Sequence, residues 1–82
     1  MTTDAELEGF LALLATRRAP RTVEAYRRDL ADISGRLGKP VAATTTDDLR
    51  LYLAELRAAG LSPATLSRRV SAARAFFAHQ VR

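Results

Sequence analysis

Four stretches of this chain carry apolar residues at the spacing of a single helix face, and residues that start or stop helices bound most of them. Leu7, Phe10, Leu11 and Leu14 fall at i, i+3, i+4 and i+7, as do Leu49, Tyr52, Leu53 and Leu56. Val23, Tyr26, Leu30, Ile33 and Leu37 make a longer stripe after Pro20. Leu66, Val70, Ala73 and Phe77 make another after Ser62 and Pro63, with Phe76 beside it. The pattern predicts an all-α fold in which each helix has one apolar face to bury.

The punctuation sets the boundaries. Thr3 and Glu6 stand at capping-box spacing before the first helix, over residues 4–16, and Asp4, Glu6 and Glu8 complement its positive N-terminus. A short connection of Arg17, Arg18 and Ala19 leads to Pro20, placed where a missing N–H costs a helix nothing. Gly38 is expected to end the second helix. On that helix Asp32 follows Arg28 by four residues and is expected to pair with it. Residues 39–45 read as a loop, with Pro40, three consecutive threonines and Val41 as its one sizeable apolar residue. Thr46 is the expected N-cap of the third helix, Asp47 and Asp48 suit its first turn, and Gly60 closes it. So short a turn follows that the third and fourth helices must lie against each other. Tyr26 and Tyr52 sit on apolar stripes, as core residues with hydroxyls at the rim.

At 82 residues the chain is expected to form a single domain. Its composition, 48% hydrophobic and 27% charged, is that of a folded protein. Without cysteine it forms neither a disulfide framework nor a cysteine metal site. No apolar run approaches the roughly 18 residues of a membrane span, and acids stand where a signal peptide has bases, so a cytoplasmic protein is expected.

The net charge of +4 conceals an asymmetry. Residues 1–16 hold three acids and no base, which leaves 13 bases against 6 acids in the rest. From Ser62 to Arg82 there is no Asp or Glu, while Arg68, Arg69, Arg74 and Arg82 are all positive. Every base but Lys39 is arginine, which grips phosphate and guanine edges at two points. A GC-rich genome would also favour arginine over lysine, but it would not cluster the arginines. Pro20-Arg21-Thr22-Val23 and Pro63-Ala64-Thr65-Leu66 echo each other, and each is followed by an arginine pair, Arg27-Arg28 and Arg68-Arg69.

With one histidine and four scattered glycines, the chain has no glycine-rich phosphate loop, no metal-spaced ligand set and no Ser-His-Asp candidates. Neither a catalytic site nor a cofactor or metal site is expected. What remains is a binding surface: Arg21, Arg27, Arg28, Arg68, Arg69 and Arg74 to neutralise phosphates, with Thr22, Thr65, Ser67 and Ser71 as short hydrogen-bond donors. Ala64, Ala72 and Ala75 would let the last helix approach a groove closely. Two readings from other classes stay open. One is a small helical protein-interaction module. The other is a stand-alone helix-turn-helix protein using residues 46–79, for which Leu51 and the first helix are the candidate dimer contacts.

TVEAYRRDL at 22–30, TTDDLRLYLAEL at 45–56 and LSPATLSRRVSAARAFFAH at 61–79, taken in order, resemble the N-terminal core-binding, SAM-like domain of tyrosine recombinases of the phage-integrase and Xer type. The chain departs from that pattern at Ala19, often a serine cap, and at Ala73, often leucine. The resemblance implies a four-helix orthogonal bundle that forms half of a clamp on double-stranded DNA, with the second and fourth helices meeting the duplex. It implies DNA contacts at Thr22, Arg27, Arg28, Thr65, Arg68, Ser71 and Arg74; charge and position alone add Arg21, Ser67 and Arg69. It also implies that the chemistry, through a tyrosine forming a 3′-phosphotyrosine link, belongs to a catalytic domain absent from this chain. Other protomers on DNA are expected near the first helix, and a monomer in isolation.

Overall fold

The computed structural model describes residues 4–81. Among them the chain forms four α-helices and one 3₁₀ turn, with no strand: α1 (Ala5–Leu14), α2 (Pro20–Leu37), the turn Val41–Ala43, α3 (Thr46–Ala58) and α4 (Pro63–Gln80). The all-α expectation holds, and the start and stop residues explain most of the boundaries.

Asp4 caps α1, its Oδ1 accepting from the Leu7 N–H at 3.1 Å, while Oδ2 accepts from the Val41 N–H at 3.3 Å and ties the long loop to the same carboxylate. Thr3, expected in a capping box there, lies outside the described residues. A capping box opens α3. Thr45 accepts from the Asp48 N–H and Asp48 accepts from the Thr45 N–H, so the N-cap is Thr45 and not the expected Thr46. Gly38 and Gly60, at φ 69° and 89°, take the left-handed positions that end α2 and α3. After α3 the Gly60 N–H reaches the Arg57 carbonyl and the Leu61 N–H the Leu56 carbonyl, a Schellman stop that turns the chain into α4. Ser62 caps α4 by accepting from the Thr65 N–H at 3.2 Å.

Ala19 is the N-cap of α2 and offers no side-chain bond. Ala19→Ser is therefore expected to stabilise the fold by about 1 kcal/mol, read as a rise in melting temperature of about 4–8 °C.

One core unites the helices. Leu7, Phe10 and Leu11 of α1 meet Leu30 and Ile33 of α2, Tyr52 and Leu56 of α3, and Leu66, Ala72, Ala73 and Phe76 of α4. Val41 is fully buried, so the loop contributes to the core through the one apolar residue it could offer. Phe10 packs edge-on against Phe76 and Tyr26, with centroids 5.6 and 6.1 Å apart, and the His79 ring lies 5.5 Å away. Leu51 is exposed.

The face of α4 is rotated from the expected one. Phe76 is fully buried while Val70 and Phe77 are half-buried, lining an apolar groove with Leu49 and Leu53 of α3. The buried line runs Leu66, Arg69, Ala72, Ala73 and Phe76, placing Arg69 in the middle of the packed face. Ala72 is consequently core and cannot ease the approach of a groove; Ala64 stays exposed and Ala75 half-buried.

Candidate nucleic-acid interface

Three helices meet at a group of charges that the apolar pattern did not announce. Asp29 lies on the packed side of α2 between Tyr26 and Ile33, and its side chain is 5% exposed. A carboxylate so buried requires cations, and α4 supplies two. Arg68 grips it at two points, Nε donating to Oδ2 at 3.1 Å and Nη2 to Oδ1 at 3.0 Å. Arg69 brings its Nε to 3.3 Å from Oδ1, off the axis of a hydrogen bond, so that contact is electrostatic.

Arg69 itself is an internal residue, its side chain 16% exposed. Nη1 donates to Asp32 Oδ2 and lies 2.6 Å from the Tyr52 hydroxyl, which in turn donates to Asp32 at 2.6 Å. Arg36 reaches the same Asp32 carboxylate at 3.2 Å. Asp32 thus pairs with Arg36 and Arg69, and the expected Arg28–Asp32 pair is not formed. Asp29, Asp32, Tyr52 and Arg69 form a polar joint fastening α2, α3 and α4 together.

The titration of that joint follows from its geometry. Burial alone would raise the Asp32 carboxyl, but the Tyr52 hydrogen bond and the nearby Arg69 and Arg36 outweigh it and hold the group below the ordinary carboxylate range. Its contribution is whole above about pH 4, where an unfolded aspartate is ionised, and is lost as pH falls through the lower folded value. Burial, with the Asp32 hydrogen bond, pushes the Tyr52 phenol from 10.0 up to about 12. A raised value means that the fold favours the neutral phenol: the contribution is complete below pH 10 and drains away as pH climbs to about 12. Tyr52→Phe is expected to remove this alkaline loss of stability, measurable as thermal unfolding followed between pH 9 and pH 12.

The other cations sort around this joint. Arg21, Thr22, Arg68 and Ser71 line a shallow groove between α2 and α4, with Ala25, Tyr26, Asp29 and Ala72 beneath. Arg28 adjoins Arg68 in the next hollow along. Arg21 and Arg28, seven residues apart, share one exposed face of α2, about 10 Å apart along the axis. On α4, Ser67, Ser71 and Arg74 are exposed at i, i+4 and i+7, and Arg68 stands beside them with a side chain 59% exposed. Arg21, Arg28 and Arg74 have no carboxylate within 4.0 Å among the described residues.

Three expected site residues are engaged within the protein. Arg69 is turned into the joint. Arg27 points to α1, with Nη1 donating to Glu8 Oε2 at 2.7 Å and Nε 3.7 Å from Glu24. Thr65 is half-buried in the start of α4, hydroxyl to hydroxyl with Ser62 at 3.1 Å. Asp29, the organising residue of the site, was missed. Its signal was an acid within an apolar stripe, three residues after Tyr26 and four before Ile33.

Comparison with known proteins agrees with this architecture. A family model described as the phage integrase N-terminal SAM-like domain matches residues 7–82. The tyrosine recombinase XerD of Bradyrhizobium diazoefficiens is 46% identical over 77 residues, covering 87% of this chain and 24% of its own length. XerD proteins of Agrobacterium fabrum and Caulobacter vibrioides are 37% and 38% identical, covering 89% and 90% of this chain. The chain spans about a quarter of the length of these curated relatives. No solved structure matches significantly. With nearly its whole length matched by the model and by recombinase sequences, the chain belongs to the phage integrase N-terminal SAM-like domain family.

Proposed function

We propose that this chain is a DNA-binding domain of a site-specific tyrosine recombinase, acting in the cytoplasm, and that it holds duplex DNA against the outer face of α2 and α4. The observation that carries the reading is the grouping of Arg21, Arg28 and Arg68 along the seam of two adjacent helices, with Thr22 and Ser71 among them; Ser67 and Arg74 stand exposed farther round α4, Arg74 at the edge of the apolar groove towards α3. Cations so placed neutralise phosphates, and short hydroxyls donate to phosphate oxygens without holding the helices away from the duplex. The domain positions DNA; the strand exchange belongs to a catalytic domain elsewhere in the recombinase. On DNA, neighbouring protomers meet near α1, whose outer surface exposes Leu13.

Titration of a labelled duplex with this protein tests the reading. Binding is expected in the range of about 10⁻⁴ to 10⁻⁶ M near physiological salt, and four neutralised phosphates give a slope of log K against log salt near about −3.6. Failure to bind at 50 mM salt refutes it.

A further inference from the structure

Arg68 is the one cation of the proposed face that is both gripped from below and open above. A guanidinium offers two edges with paired N–H groups, one of Nε with Nη2 and one of Nη2 with Nη1. Asp29 occupies the first edge with both its oxygens, at 3.1 and 3.0 Å. The side chain is 59% exposed, and among the described residues Asp29 is its only hydrogen-bond partner, which leaves the second edge free for a ligand. An arginine otherwise loses much rotamer freedom when it binds; here that freedom is already lost in the folded protein. Asp29 is itself fixed, buried on α2 beside Leu30 and drawn from a second side by Arg69.

We propose that Asp29 is a positioning residue for DNA binding: it does not touch nucleic acid, but sets the Arg68 guanidinium so that its Nη1–Nη2 edge meets a phosphate or a guanine. This rests on the DNA-binding reading above. The role predicts a sign opposite to that of plain electrostatics. A carboxylate beneath a DNA-binding face repels phosphate, so neutralising it would tighten binding if its field were all that mattered. If it positions Arg68, neutralising it weakens binding.

The experiment is a double-mutant cycle on duplex affinity with Asp29→Asn and Arg68→Ala, each variant first checked for folding by circular dichroism. Asp29→Asn is expected to weaken binding by about threefold or more in the Arg68 protein and to cause no weakening in the Arg68→Ala protein. Tighter or unchanged binding by Asp29→Asn, or an equal loss in both backgrounds, overturns the proposal while leaving DNA binding intact. Absence of binding by the unmodified protein overturns both. If Asp29→Asn does not fold, the Arg68 Nε–H resonance of the unmodified protein reads the same arrangement. Protection from exchange that persists when duplex is added supports the proposal, and protection lost on binding overturns it.

Discussion

Asp29→Ala is expected to lower the stability of the fold by about 3–5 kcal/mol, the usual cost of removing one partner from a buried ion pair. The carboxylate is 5% exposed and faces two arginines. Arg68 can swing out to water after the loss, but Arg69 cannot, because Leu66, Ala72, Ala73 and Phe76 hold that side of α4 in the core. Its Nε, which has no hydrogen bond even in the intact protein, would lose the Asp29 charge 3.3 Å away, leaving Asp32 as the remaining counter-charge of the guanidinium. A domain of this size has a total stability of about 4–12 kcal/mol, so the loss is a large share of the whole. Arg28→Ala is the control: an exposed cation with no ion pair among the described residues, its removal should change stability by less than about 0.5 kcal/mol. Urea unfolding of the two variants measures the contrast. Equal, small losses would mean that the joint contributes little.

The second large effect concerns binding. Removing Arg21 and Arg28 together should weaken duplex binding by about 200-fold at 50 mM salt, because two fewer phosphates change the salt slope by about 1.8 and counterion release vanishes near 1 M. Arg50 and Arg57 on α3 provide a matched comparison. Both are exposed, and their removal changes net charge by the same amount. Arg50→Ala with Arg57→Ala should leave the slope almost unchanged if the phosphates lie on the α2 and α4 face. Equal losses from the two double variants would reduce the effect to net charge and deny the face any part in it.

Helix boundaries were legible in the sequence wherever a residue has a strong backbone preference. Pro20, Gly38, Gly60 and the Ser62-Pro63 pair all act as their chemistry dictates. The start of α3 was misread by one residue, although the deciding signal was present: Thr45 has an acid three positions on, whereas Thr46 has Leu49 there, so only Thr45 can form a capping box. The rotation of α4 was harder to see. A stripe through Val70 and Phe77 is the more apolar choice, and a stripe through Arg69 is chosen only if Arg69 has an acid to meet inside. That acid is on another helix, so the true face depends on a tertiary contact between residues 29 and 69. The same limit applies to Arg27, whose partner Glu8 is 19 residues away on α1. The outward cations Arg21, Arg28 and Arg74 were legible because an exposed charge needs no partner to be placed, whereas the hold of Asp29 on Arg68 was not.

The most direct test of the DNA-binding face is a ¹⁵N chemical-shift titration with a short duplex. It should show perturbations concentrated at residues 21–28 on α2 and at Ser67, Arg68, Ser71 and Arg74 on α4, while the outer face of α3, including Arg50, Leu51 and Arg57, stays silent. Perturbations centred on α3, or none at a duplex concentration of about 10⁻⁴ M in 50 mM salt, would contradict it.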